Sequence, residues 1–165
     1  MQGQEVTITD MMYCRDRRVQ IQNEFIEKYQ NPVISFCMNI PGPIKNTPLI
    51  RKGFGSGKEA LLASLEKENL VILESRIFDD ITGPEMLLCV SASAEKIKDL
   101  TTQIEENHPY GRLFDMDVIG TDGQKLSRPS YRKCLICDYQ AQECARSRKH
   151  TIAEMQDKIE EILSR

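Results

Sequence analysis

Between Val33 and Ile119 the sequence reads strand, helix, strand, strand, helix, strand, and that order restricts the fold more than any other feature of the chain. Val33 to Ile40 is rich in β-formers and closes at the rigid loop Pro41-Gly42-Pro43. Thr47 offers a helix N-cap with Pro48 at the first helical position. The helix runs to about Asn69, with Leu61, Leu62 and Leu65 facing a core and Gly53, Gly55 and Gly57 weakening its first half. Leu70 to Phe78 and Glu85 to Ala92 form a hairpin around Gly83-Pro84. Ser93 caps a helix through Asn107, and Arg112 to Ile119 is the last strand, turned by Thr121-Asp122-Gly123.

This βαββαβ order is the split βαβ arrangement of α+β, ferredoxin-like folds, in which two helices cover one face of a four-stranded antiparallel sheet. Side chains alternate along a strand, so Ile34, Phe36, Met38 and Ile40 face the helices together with Phe114, Met116 and Val118. The opposite face then carries Ser35, Cys37, Asn39, Cys89, Ser91, Asp115 and Asp117. With the last strand antiparallel beside the first, Arg112 and Asp115 approach the loop Pro41 to Lys45. A helix over residues 10–30 precedes this core at 33–120, and a Cys-rich knuckle with a terminal amphipathic helix occupies 128–165. At 165 residues, one domain accounts for the chain.

Composition narrows the class. The apolar fraction of 40% and charged fraction of 28% suit a soluble globular protein. A net charge of −3 argues against general nucleic-acid binding. No leader pattern and no run of about 20 apolar residues is present, which predicts a cytoplasmic protein without a membrane association. Cys37 and Cys89 lie in strand-like runs and Cys14 in a charged helix. Cys134, Cys137 and Cys144 cluster, and in a cytosolic chain a cluster suggests metal before disulfide.

Asp115-Met116-Asp117 is the sharpest catalytic signal, because carboxylates at i and i+2 on a strand project from one face about 7 Å apart. Such hard oxygen ligands suit Mg²⁺, which completes its octahedron with water and substrate phosphates and positions phosphorus for in-line attack. The alternative is a solvated edge-strand face. Lys45, Arg112 and His108 offer phosphate contacts, Lys as a point charge and Arg as a planar fork. His108 is a general base, a phosphate ligand, or part of a His-Pro turn. Gly42 lets a bound group approach the backbone closely. Gly53-Phe54-Gly55-Ser56-Gly57-Lys58 lacks the spacing of a Walker motif and marks a flexible helix start.

Cys134, Cys137, Cys144 and His150 form Cx2Cx6Cx5H, a complete tetrahedral set for a structural Zn²⁺ with no open position. The alternative is a reduced, metal-free knuckle. Around it Arg128, Arg132, Lys133, Arg146, Arg148 and Lys149 make a basic patch that receives phosphates or an acidic partner, or is simply solvated.

Gly111-Arg112-Leu113-Phe114-Asp115-Met116-Asp117-Val118 resembles the citrate-lyase holo-acyl-carrier-protein synthases, also called apo-citrate lyase phosphoribosyl-dephospho-CoA transferases. The resemblance extends to Arg15-Asp16-Arg17 with Gln22, Pro41-Gly42-Pro43-Ile44-Lys45, His108-Pro109, and Arg132-Lys133-Cys134-Leu135-Ile136-Cys137 with Cys144-Ala145-Arg146 and His150. Phe114 stands where a larger aromatic can occur, and the N-terminal region is short. The resemblance implies a nucleotidyltransferase-type enzyme without a fused precursor-making domain. Its substrate is a triphosphoribosyl-dephospho-CoA, its acceptor a serine of the citrate lyase acyl carrier subunit, and its by-product diphosphate. In that reading Asp115 and Asp117 hold Mg²⁺, Arg112 and Lys45 neutralise the diphosphate, and His108 assists the serine proton. Arg15, Pro41, Gly42, Arg132 and Arg146 complete the substrate-binding set. Two rival readings are a nucleotidyltransferase with another acceptor and a non-enzymatic zinc-knuckle interaction module.

Overall fold

The computed structural model describes residues 1–165 as an α+β protein with one four-stranded antiparallel sheet and five helices. Helix α1 spans Ile8–Tyr29 and begins at a capping box, in which Thr7 Oγ1 accepts the Asp10 N–H and the Asp10 carboxylate accepts the Thr7 N–H. It ends where Gln30 turns left-handed at φ 52°. Strand β1 (Val33–Met38) follows, then α2 (Pro48–Lys67), β2 (Val71–Asp80), β3 (Gly83–Ser91) and α3 (Ala94–Asn107). A single 3₁₀ turn, Gly111–Leu113, leads into β4 (Phe114–Ile119), and α4 (Ala141–Ser147) and α5 (Ile152–Leu163) complete the chain. No helix is long and apolar enough to cross a membrane.

The strands lie in the order β2-β3-β1-β4. β4 runs antiparallel beside β1, with Cys37 opposite Asp115 and Ser35 opposite Asp117, as the order of elements predicts. The alternation also holds. Ile34, Phe36, Met116, Val118 and Phe114 are fully buried beneath α2, α3 and α5 in the main core. Each such large apolar side chain contributes about 1.5–3 kcal/mol.

Two features of the packing go beyond the predicted pattern. First, the opposite face is not open along its length: Ile21, Phe25 and Ile26 of α1 bury Val33, Leu87, Cys89 and Ile119 in a second core. Second, the glycines of α2 interrupt nothing, and the helix is continuous. A Cβ at Gly57 would stand 2.6 Å from the Phe36 ring and 2.7 Å from that of Phe114, so glycine is what lets α2 settle onto the aromatic floor. The flexible helix start expected there is therefore corrected to a close-packing contact. Leu61 and Leu65 are buried as expected, whereas Leu62 faces solvent.

Candidate active site and metal cluster

The strand that carries the acidic pair is the sheet's edge, and its outward-facing backbone groups are taken up by neighbours. The buried Glu105 carboxylate on α3 accepts the Met116 N–H at 2.8 Å, Arg132 Nη1 donates to the Phe114 carbonyl at 2.7 Å, and the Leu126 N–H donates to the Val118 carbonyl at 2.9 Å. An edge strand closed in this way neither frays nor recruits another strand. Glu105 also accepts Arg128 Nη1 at 2.6 Å, which ties the segment after β4 to α3. Burial pushes the Glu105 carboxyl above its usual range, opposed by Arg132, the Met116 N–H and Arg128.

Asp115 and Asp117 project from the α1 side of β4 into a polar cavity of 910 Å³. Lys98, Lys125, Arg128, Arg132, Tyr131 and Gln140 share its wall. The two acids differ in their surroundings. Asp117 is paired with Lys125 at 2.6 Å. Asp115 has no hydrogen-bonding or ion-pairing side chain, and burial followed by the Asp117 charge raises its pKa, with Lys125, Arg132 and Arg18 opposing. An acid destabilised by burial and a like charge is relieved by a cation, so the donor set fits a hard divalent ion.

Other cationic groups gather on the same face. Arg18 of α1 donates Nε to the buried Glu85 at 2.7 Å, and Arg17 reaches the same carboxylate at 2.8 Å and Asp80 at 2.6 Å. This network pins the first half of α1 to β3 and brings the Arg18 charge near Cys37 and Asp115. Burial pushes the Cys37 thiol up to about 12, with Asp115 and Glu85 adding to the rise and Arg18 opposing it. Lys45 is half-buried and donates to the Ile40 carbonyl; burial lowers its pKa, and the charge of the exposed Arg15 adds to the effect.

The structure does not bring His108 or Arg112 to the acidic pair. His108 lies on the helix-covered side, its ring against Phe114 at 4.8 Å between centroids. Its Nδ1 accepts the Tyr110 N–H at 3.0 Å, which leaves the proton of the neutral ring on Nε2, 3.1 Å from Ser56 Oγ. Arg112 turns towards the knuckle, donates to the Lys133 carbonyl, and lines a second, less polar cavity of 760 Å³ with Pro41, Leu113, Leu135 and Ile152. Arg132 is committed to two carbonyls, those of Phe114 and Gly111 at 2.7 and 2.9 Å. Arg146 is exposed on α4.

Gly42 adopts φ +88°, and a Cβ there would meet Gln156 Nε2 at 2.6 Å and Ile152 Cγ2 at 2.8 Å. The space expected to admit a bound group is occupied by α5. Lys98, Glu105, Lys125 and Arg18 were not singled out from sequence. For two of them a signal exists: Lys98 and Glu105 stand seven residues apart, on the side of α3 that also buries Ile97 and Thr101.

The cysteine cluster forms as the spacing predicts. The sulfur atoms of Cys134, Cys137 and Cys144 and a ring nitrogen of His150 all lie within 4.8 Å of one another. Cys137 Sγ stands 3.5 Å from Cys144 Sγ and 3.2 Å from His150 Nε2. Two thiolates about 2.3 Å from a tetrahedral metal would be about 3.8 Å apart, so these residues fit a four-ligand ion. The Ile136 N–H points at Cys134 Sγ from 3.5 Å, a contact that stabilises a thiolate.

Fold and site thus describe an α+β protein with a carboxylate-bearing polar cavity and a separate cluster of metal-ligating side chains. The chain belongs to the apo-citrate lyase phosphoribosyl-dephospho-CoA transferase family, whose pattern matches residues 6–165. It is 35% identical over 163 residues to the apo-citrate lyase phosphoribosyl-dephospho-CoA transferase of Escherichia coli O7:K1, an alignment covering 96% of this chain and 89% of that protein. The protein of the same name from Citrobacter koseri is 35% identical over 162 residues, with 96% and 88% covered. That of Shigella boydii serotype 18 is 34% identical over 163 residues, with 96% and 89% covered.

Proposed function

We propose that this chain transfers the phosphoribosyl-dephospho-CoA group from a triphosphoribosyl precursor to a serine of the citrate lyase acyl carrier protein, with release of diphosphate. The observation that carries the reading is the Asp115–Asp117 pair, with Asp115 unpartnered on the wall of a cation-rich cavity, in a chain that matches the family over residues 6–165. In the reaction the serine oxygen bonds to the phosphorus nearest the ribose as the bond from that phosphorus to the bridging oxygen breaks. The electron pair stays on that oxygen, diphosphate leaves, and the serine proton passes to a base or to water.

Asp115 and Asp117 would hold Mg²⁺, which when bound lowers the charge on the phosphate under attack. Were the ion held there, Asp117 would give up Lys125, whose exposed ammonium would then be available to a phosphate oxygen. Lys45 lies on the same face, beside Cys37, and with Arg15 it extends the positive surface away from the pair. Arg132 holds the 3₁₀ turn and the start of β4 in register, a positioning role. His108 and Arg112 face elsewhere, which supports a structural part for His108 and, for Arg112, a contact with the less polar end of the precursor in the second cavity, next to Pro41. Gly42 lets Pro41 sit against α5. The exposure of the knuckle's basic residues, Arg146 among them, supports a contact with an acidic carrier surface.

Zn²⁺ on Cys134, Cys137, Cys144 and His150 would be structural, because four protein ligands leave no position for substrate. The strand order, with β4 beside β1 and two helices on one face, supports a ferredoxin-like core at residues 33–120. With α1 on the other face and the knuckle and α5 closing one end, it supports one transferase domain over 1–165. The test is intact-mass spectrometry of the apo carrier subunit incubated with precursor, Mg²⁺ and this protein. A mass gain equal to the phosphoribosyl-dephospho-CoA group, matched by diphosphate release, is expected; an unmodified carrier defeats the reading.

A further inference from the structure

Four basic side chains line the cavity of Asp115 and Asp117, and three of them are committed. Lys125 is paired with Asp117 at 2.6 Å, and Arg128 with Glu105 at 2.6 Å and Glu106 at 3.4 Å. Arg132 spends both terminal nitrogens on the carbonyls of Phe114 and Gly111. The fourth, Lys98, is 6% exposed and has no salt bridge, and no group of the protein accepts a hydrogen bond from its ammonium. Its stem is buried while its ammonium opens onto the cavity, which leaves the charge available to a ligand. Burial accordingly lowers its pKa, and Glu105 and Asp117 restore part of the charge without touching it.

The position of Lys98 follows from the edge-closing geometry. α3 crosses β4 with Glu105 at the level of Met116, and Lys98 lies two turns earlier, about 10 Å along the helix axis. α3 therefore delivers one ammonium to the Asp117 end of the pair. An ammonium offers three donors and one point charge, a match for the clustered oxygens of a phosphate chain.

Resting on the function proposed above, we propose that Lys98 forms the anion subsite of this cavity and takes the diphosphate end of the triphosphate substrate. As the bond to the bridging oxygen breaks, the electron pair left on that oxygen adds a negative charge to the departing diphosphate. Lys98 is the cation on the cavity wall that can meet it without first giving up a protein partner. The anion role expected of Arg112 thus passes to a residue on α3, while the carboxylates face the phosphate under attack.

Inorganic diphosphate is the probe. Its affinity for the full-length protein is measured by calorimetry in Mg²⁺ buffer for wild type, Lys98→Met, Lys98→Arg and the control Lys96→Met, whose surface lysine pairs with Glu68. Loss of a charge-assisted contact predicts at least about a tenfold weaker diphosphate affinity in Lys98→Met. Lys98→Arg and Lys96→Met stay within about threefold of wild type, and Lys98→Met melts at or above the wild-type temperature, since an apolar chain suits the buried stem. Amine labelling of the wild type gives a second readout that needs no variant: Lys98 should react in the free protein and be shielded by diphosphate. Diphosphate affinity unchanged in Lys98→Met, or Lys98 labelled equally with and without diphosphate, overturns the proposal. A protein that binds diphosphate through Lys98 yet leaves the carrier unmodified retains this site and loses the function proposed above. A protein that modifies the carrier with diphosphate binding indifferent to Lys98 does the reverse.

Discussion

The Glu105 carboxylate on α3 accepts the backbone N–H of Met116 on β4 at 2.8 Å, closing the sheet edge midway between Asp115 and Asp117. One buried acid thereby fixes the strand that presents two others, and it also holds Arg128 at 2.6 Å. Removing it exposes two debts at once: an N–H without an acceptor and a guanidinium without a counter-charge. Glu105→Ala should cost about 3–5 kcal/mol, towards the lower end because Arg128 keeps some solvent contact. Glu105→Gln retains an acceptor for Met116 and should cost about 1–2 kcal/mol. Urea denaturation of the two variants checks the order; equal losses would show that the charge facing Arg128, not the hydrogen bond to Met116, is what matters.

Asp115→Asn should separate stability from activity. Burial and Asp117 raise the Asp115 pKa above 3.8, so the folded protein holds this proton more tightly than the unfolded chain. Its ionisation therefore weakens the fold as pH climbs through 3.8 and the higher folded value, and Asn escapes that penalty. In EDTA the variant should melt above wild type at pH 7 and match it at pH values well below 3.8. With Mg²⁺ restored, transfer to the carrier should be abolished in the variant. A variant that melts lower than wild type at pH 7, or that still modifies the carrier at the wild-type rate, refutes the cation-site assignment.

Arg132 spans two carbonyls with one planar fork, and an ammonium cannot occupy both positions. Arg132→Lys should thus be nearly as damaging as Arg132→Ala, each losing about 1–3 kcal/mol through at least one unmet carbonyl. If calorimetric melting places the lysine variant within a degree of wild type, the residue acts by charge alone.

Much of this was readable in the residue order. Strand alternation sorted Phe114, Met116 and Val118 from Asp115 and Asp117, because a period of two allows one assignment once either face is buried. The knuckle was readable because metal-ligand spacing is local. What was missed depends on contacts between distant segments. Nothing near Gly57 announces the rings of Phe36 and Phe114, and nothing near Gly42 announces Ile152. α1 was visible as a helix, but its apolar residues do not say which sheet face they cover. His108 and Arg112 both stand just before the acidic motif in sequence, yet the 3₁₀ turn at Gly111–Leu113 leaves His108 against Phe114 and Arg112 at the second cavity.

His108→Gln distinguishes a base from a brace. Removing a general base lowers the rate by about 10²–10⁴. On the helix-covered side, the substitution should leave transfer within about tenfold of wild type. Its signature should be in stability. Burial holds the His108 pKa below 6.5, and the Tyr110 N–H occupies the nitrogen that a second proton would need. The stability it contributes is present above pH 6.5 and lost as pH falls through the lower folded value. Wild type should therefore lose more melting temperature between pH 7 and pH 5 than the glutamine variant. A thousandfold loss of transfer with parallel melting curves would restore the base.

The cysteine cluster gives the last prediction. Cys134, Cys137, Cys144 and His150 place their ligand atoms within 4.8 Å of one another, so protein purified without chelator should carry one equivalent of zinc. Cys137 contacts both Cys144 and His150, at 3.5 and 3.2 Å, and its loss opens the site from the middle. Cys137→Ser should lose the metal and melt at lower temperature. Arg112, which donates to the Lys133 carbonyl one residue before Cys134, is then released, so precursor binding should weaken as the knuckle loosens. Cys37→Ser and Cys89→Ser lie on the sheet, outside the cluster, and should keep full zinc. Elemental analysis decides it: negligible zinc in the wild type, or full zinc in both Cys137→Ser and His150→Ala, removes the metal and leaves a knuckle held by packing and by backbone bonds such as Cys134 N–H to the Tyr139 carbonyl and Ala141 N–H to the Arg132 carbonyl.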